Sequence, residues 1–132
     1  MPDKLRILVV DDSRAITVFV SDTLTANLES VEVIAVSDGL EALKIALSRP
    51  LDLIISDWNM PQINGRILLE RVRADERNKD VPFIMLTGKS DQESVVSAIS
   101  LGVSAYLIKP FTPESLLKHI NTLISKRPPP QK

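Results

Sequence analysis

The chain contains no cysteine. That excludes disulfides, thiolate metal sites and cysteine nucleophiles, and it fits a reducing compartment. Its four glycines, at 39, 65, 88 and 102, are scattered. Neither a P-loop nor a Gly-x-Gly-x-x-Gly turn is therefore present to cradle a nucleotide. A single histidine, His119, sits in the last amphipathic segment, where a surface or interface position suits it better than a catalytic one. A surplus of charge is also missing: the formal net charge is −1. Nothing electrostatic calls for direct nucleic-acid binding. No apolar stretch approaches the roughly 18 residues that span a bilayer, and residues 1–6 lack a signal-peptide core. A cytoplasmic protein without membrane contact is expected.

What is present is a regular alternation. At 132 residues, with 44% hydrophobic and 25% charged residues, the chain suits one ordinary globular domain. Short apolar runs at 5–11, 31–36, 53–57, 81–87 and 103–108 alternate with amphipathic segments, the pattern of repeated βαβ units around a parallel sheet. The first helix has Ser13 as cap and stacks Ile16, Val20 and Leu24. Ser37-Asp38-Gly39 reads as a turn before a helix at 40–47. The stretch 58–65, with Pro61 and Asn64-Gly65, reads as a loop before a helix at 66–74. Ser90-Asp91-Gln92-Glu93 has capping-box spacing and opens a helix that stops near Gly102. The last helix starts at Thr112 with Pro113 in its first turn and carries Leu116, Leu117, Ile120, Leu123 and Ile124 on one stripe. Residues 1–126 form the domain. The Pro-rich stretch 127–132 reads as a flexible tail and as the beginning of a linker to an output domain.

Four of the apolar runs end on residues able to handle phosphate or a metal: Asp11-Asp12, Asp57, Thr87 and Lys109. With right-handed crossovers all strand ends share one rim, where open α/β sheets place their chemistry. Taken singly, each residue has an ordinary reading, as a helix cap, a turn residue, a structural threonine or a solvated lysine. Their coincidence on one rim points to function. Three carboxylates and one lysine leave about −2, which one divalent ion neutralises; magnesium suits carboxylates that later share it with phosphate oxygens. Asp57 closes the most buried run and is the candidate nucleophile, since an aspartate can form an acyl-phosphate.

The residues Val9-Val10-Asp11-Asp12-Ser13, Ile55-Ser56-Asp57-Trp58-Asn59-Met60-Pro61, Asn64-Gly65, Leu86-Thr87-Gly88, Tyr106 and Lys109-Pro110-Phe111 resemble the motifs of two-component response regulator receiver domains, above all the single-domain chemotaxis members of CheY type. The resemblance spans residues 5–126. It implies a (βα)5 flavodoxin-like three-layer sandwich with strand order 2-1-3-4-5. It implies that Asp57 is the phosphoacceptor of a histidine kinase, and that Mg2+ is held by Asp12, Asp57 and the backbone carbonyl of Asn59, with Asp11 assisting. Thr87 and Lys109 would bind phosphoryl oxygens, Thr87 and Tyr106 would form the switch pair, and Lys109-Pro110 would be cis. Asn59 and Lys89 stand where the family varies. The implied readout face comprises residues 90–102, Tyr106 and 118–126.

The partners implied are a sensor kinase or phosphotransfer protein and a downstream target or fused output domain, the protein being a monomer or a phosphorylation-dependent dimer. It would turn over no separate substrate. The alternative is a magnesium-dependent phosphatase of haloacid-dehalogenase type, which also uses a strand-end aspartate but wants Asp-x-Asp where this chain has Asp11-Asp12-Ser13.

Overall fold

The computed structural model describes residues 4–88 and 92–126. Lys89, the expected cap Ser90 and the 127–132 tail lie outside them. Five strands, β1 (Leu5–Val10), β2 (Val31–Val36), β3 (Leu53–Asp57), β4 (Phe83–Thr87) and β5 (Ala105–Ile108), alternate with α1 (Arg14–Asn27), α2 (Gly39–Ala46), α3 (Gly65–Arg73), α4 (Gln92–Ser100) and α5 (Pro113–Lys126). Every neighbouring pair is parallel, and the order is β2-β1-β3-β4-β5. The flavodoxin-like sandwich expected from the sequence is what forms.

The apolar runs are continuous because the central strands are covered on both faces. Successive side chains point to opposite sides, so each strand feeds two cores. Leu8, Val10, Ile54, Phe83 and Met85 join Leu43, Leu68, Leu69, Val72 and Ala98 beneath α2, α3 and α4. Ile7, Val9, Ile55, Ile84 and Leu86 join Val20, Leu24, Leu116 and Ile120 beneath α1 and α5.

Several boundaries differ from the sequence reading, each for a local reason. Asp38 is a helix cap, its carboxylate accepting from Glu41 N at 2.8 Å, so α2 begins at Gly39. Asn64 likewise caps α3 by accepting from Ile67 N at 2.9 Å, and the helix begins at Gly65. β4 starts at Phe83, after Pro82, which has no N–H to donate to a ladder. β5 starts at Ala105 because Val103 N donates to Ala98 O at 3.0 Å, closing α4. Ser13 caps α1 and Pro113 opens α5 as expected.

Two glycines are required by close packing. A Cβ on Gly39 would lie 1.9 Å from Ile63 O, and one on Gly65 would lie 2.6 Å from Asp57 O and 2.9 Å from Trp58 Cα. The start of α3 thus rests directly on the end of β3, with Gly65 N donating to Trp58 O at 3.0 Å. Alanine is ordinarily the better helix former by up to ~1 kcal/mol. Here Gly65→Ala is expected to destabilise by about 2–3 kcal/mol, because backbone must move to admit the methyl. Urea unfolding followed by fluorescence of the sole tryptophan, Trp58, measures it.

Candidate functional site

The rim is assembled by the ends of β1, β3, β4 and β5. Asp11 follows β1 with its N–H still donating to Val36 O at 3.3 Å, which extends the β1–β2 ladder by one residue. Its Oδ1 accepts from Ser13 N at 2.9 Å, and its Oδ2 accepts from Lys109 Nζ at 2.9 Å. Asp11 is fully buried, whereas Asp12 is exposed. Asp57, the last residue of β3, is buried too; its Oδ1 lies 3.3 Å from Lys109 Nζ and accepts from Asn59 N at 3.4 Å. Lys109 is delivered by continuation of the β4–β5 ladder, its N–H donating to Thr87 O at 2.7 Å. Lys109-Pro110 is cis. Beyond it Phe111 meets Phe19 of α1, ring centroids 5.7 Å apart, which ties this loop to the helix that follows Asp12.

Asp11, Asp12 and Asp57 each present an oxygen within 4.8 Å of the others. Carboxylates held so close repel one another unless a cation or a proton intervenes. Burial, reinforced by the charge of Asp11, pushes the Asp57 carboxyl up to about 6, although Lys109 and the Asn59 N–H pull it back. For Lys109, burial favours the neutral amine, but the bond to Asp11 and the charges of Asp11 and Asp57 outweigh it, so its affinity for the proton rises. One ammonium leaves the cluster short of positive charge. An all-oxygen donor set with excess negative charge fits a hard divalent cation such as Mg2+.

Thr87 is buried at the end of β4, with its hydroxyl donating to Gly88 O at 3.3 Å. Tyr106 lies on β5 opposite Met85 and points outward, 41% exposed. Between them is a cavity of about 170 Å³ lined by Thr87, Gly88, Val95, Val96, Tyr106 and Ile108. The structure therefore brings Asp11, Asp12, Asp57 and Lys109 together, ties Asn59 to Asp57 through its N–H, and places Thr87 and Tyr106 on two walls of one cavity. His119 is partly exposed and lines an open groove with Ile99, Val103 and Tyr106. Sequence reasoning passed over Gly65 as support for Asp57; its signal was a capping asparagine directly before an apolar-periodic segment.

Residues 7–121 match the response regulator receiver domain family. Chemotaxis protein CheY1 of Helicobacter pylori is 36% identical over 121 residues, covering 91% of this chain and 97% of that protein. Chemotaxis protein CheY of Pseudomonas aeruginosa is 34% identical over 92% of this chain and 98% of its own. Among solved structures, the chemotaxis response regulator CheY4 of Vibrio cholerae superposes with a TM-score of 0.83 at 38% identity, covering 91% of this chain and 98% of its own. The receiver domain of a Pseudomonas aeruginosa sensor histidine kinase, solved with magnesium coordinated in its active site cleft, gives 0.84 at 27% identity over 93% of this chain and 99% of its own.

The raised Asp57 has a consequence for stability. Its carboxyl titrates near 3.8 unfolded and about 6 folded, so the folded state holds the extra proton between those values. Stability from this group therefore falls as pH rises from about 4 to 6 and stays lowered above that. Asp57→Asn is expected to stabilise the metal-free protein by about 2 kcal/mol at pH 7.5 and by almost nothing at pH 4. Urea unfolding at the two pH values, in a chelator, measures the difference.

Proposed function

The chain belongs to the response regulator receiver domain family, and from that membership we propose that it is a phosphorylation-activated switch whose phosphoacceptor is Asp57. The observation that carries the assignment is the buried Asp57 carboxylate at the end of β3, 3.3 Å from Lys109 Nζ and clustered with Asp11 and Asp12. A phosphohistidine of a sensor kinase or phosphotransfer protein is the donor. An Asp57 oxygen forms the new bond to phosphorus as the donor's P–N bond breaks and the imidazole keeps the electron pair. The ionised carboxylate is the competent nucleophile and the protonated acid a far poorer one, so the raised protonation range of Asp57 makes a neighbouring positive charge useful. Asp12, Asp57 and the Asn59 backbone carbonyl are the proposed ligands of Mg2+, with Asp11 behind them. When bound, the ion supplies positive charge to the phosphoryl oxygens. The protein would process only its own phosphoryl group.

Lys109 already stands between Asp11 and Asp57, so its ammonium is placed to hold a phosphoryl oxygen without a large movement. Thr87 differs: its hydroxyl must exchange Gly88 O for the phosphoryl group. Phosphorylation replaces one negative charge by roughly two and adds acceptor oxygens, which supplies the differential interaction that exchange needs. As Thr87 turns away, the cavity beside it opens to Tyr106, and the face formed by α4, β5 and α5 changes for a downstream target or a fused output domain. Such a switch would work in the cytoplasm.

Incubation with acetyl phosphate and Mg2+ should add one phosphoryl group, seen by intact mass, in the native chain and not in Asp57→Asn. Absence of the adduct in the native chain overturns the assignment. Thr87→Ala should still form the adduct yet leave the ring resonances of Tyr106, the only tyrosine, unmoved on phosphorylation. Native protein should show them shifted.

A further inference from the structure

Helix α4 is held to the body of the protein differently from α1 and α3. α1 and α3 bury several large side chains, among them Val20 and Leu24 in one and Leu68, Leu69 and Val72 in the other. Among its described side chains α4 fully buries only Ala98, with Val95 partly buried, while Val96 and Ile99 stand 71% and 59% exposed. An alanine removes little apolar surface from water, so apolar packing holds this helix weakly.

Its C-terminal end has a second attachment. The helix closes with Gly102 N donating to Ile99 O at 3.1 Å and Val103 N donating to Ala98 O at 3.0 Å, around a Gly102 with φ of 97°. This closure needs glycine's freedom at positive φ. It leaves the Gly102 carbonyl facing Arg73 in the last turn of α3. Arg73 Nε and Nη2 donate to that one oxygen at 3.2 and 2.8 Å, and Nη1 donates to Lys79 O at 3.2 Å. Burial lowers the guanidinium's hold on its proton, opposed by Asp80, so this cation has given up water for carbonyl oxygens. A planar fork can grip two loops at once, which a lysine ammonium does less well. The other end of α4 follows Gly88 within a few residues of Thr87.

We propose that Arg73 is a positioning residue that pins the C-terminal end of α4 at Gly102, so that the helix answers events at Thr87 by moving about that fixed end. The inference rests on the phospho-switch reading for what moves the helix, but not for the pin itself. A helix fixed at one end and loosely packed along its length concentrates displacement at the end nearest the phosphate. The pin, beside the partly buried Leu101 and Val103 that pack on the core at the same end, therefore limits how much of the readout face a single hydroxyl can rearrange.

Amide hydrogen exchange tests this on the full chain, metal-free and loaded with Mg2+ and beryllofluoride as a phosphoryl probe. In the native protein, Leu101, Gly102 and Val103 should keep the same protection in both states, while residues 94–97 change. In Arg73→Ala, amides 101–103 should exchange at least about tenfold faster in both states, with core strands β1 and β3 as the reference for any global loss of stability. Arg73→Lys should fall between. Gly102→Ala should reproduce the loss from the other partner, since its Cβ would sit 3.2 Å from Arg73 Nε at a φ that alanine disfavours. The pin is overturned if Arg73→Ala leaves 101–103 protected, or if loading alters them in the native chain as much as 94–97. If beryllofluoride changes neither Trp58 fluorescence nor exchange anywhere, the switch reading fails, and the metal-free comparison still decides the pin.

Discussion

Crowding of negative charge at one end of the sheet is the constraint on which the rest of this structure depends. Asp11 and Asp57 are buried beside each other with Asp12 close by, and Lys109 is the ammonium that bridges the buried pair. An unpaired buried carboxylate is costly, so a fold that keeps two there must spend much of its architecture holding their partners in place. The surrounding details serve that purpose. Ladder bonds run one residue past the strands at Asp11 and Lys109, Phe19 and Phe111 tie the lysine's loop to α1, and the first turn of α3 sits hard against the Asp57 carbonyl. The negative charge left over after Lys109 is what a divalent cation would neutralise. A site already compensated would have little to gain from a cation.

Much of this was legible in the order of residues. Strands covered on both faces must be apolar at every position, and the runs ending at Val10, Asp57 and Thr87 announce that directly. Once strands are parallel, their polar ends share a rim, so Asp11, Asp12, Asp57, Thr87 and Lys109 could be grouped without coordinates. The chemistry proposed for them rests on that grouping. Less legible were features whose cause lies far along the chain. Asp38 and Asn64 look equally like turn residues and helix caps, because the same short side chain satisfies either backbone. The start of β5 depends on which N–H groups α4 consumes in closing. Gly39 and Gly65 matter through main chain that approaches them from Ile63 and from Asp57-Trp58. Arg73 in sequence is one more cation on an amphipathic helix; only the placement of Gly102, 29 positions later, gives it a partner.

The division of labour within the site also becomes clearer. Asp11 is committed, bonded to Ser13 and Lys109, and so holds the lysine in place. Asp12 is exposed and approachable. Asp57 lies between these extremes: it is buried, yet it stands at the last position of β3, beside both of them. Thr87 and Tyr106 take no part in this charge balance. They stand on opposite walls of a cavity, so a change in one alters the room available to the other.

The alternation of side chains that builds two cores has a last consequence. α4 draws its packing from the layer beneath α2 and α3, whereas α5 belongs with α1 on the far side of the sheet. Ile99 of α4 and His119 of α5 line one open groove over the edge strand β5. A partner laid across that edge would straddle both layers of the sandwich, and its grip would compare the position of one layer against the other. Such a partner would sense a relative displacement across the thickness of the sheet, a quantity no single helix could report.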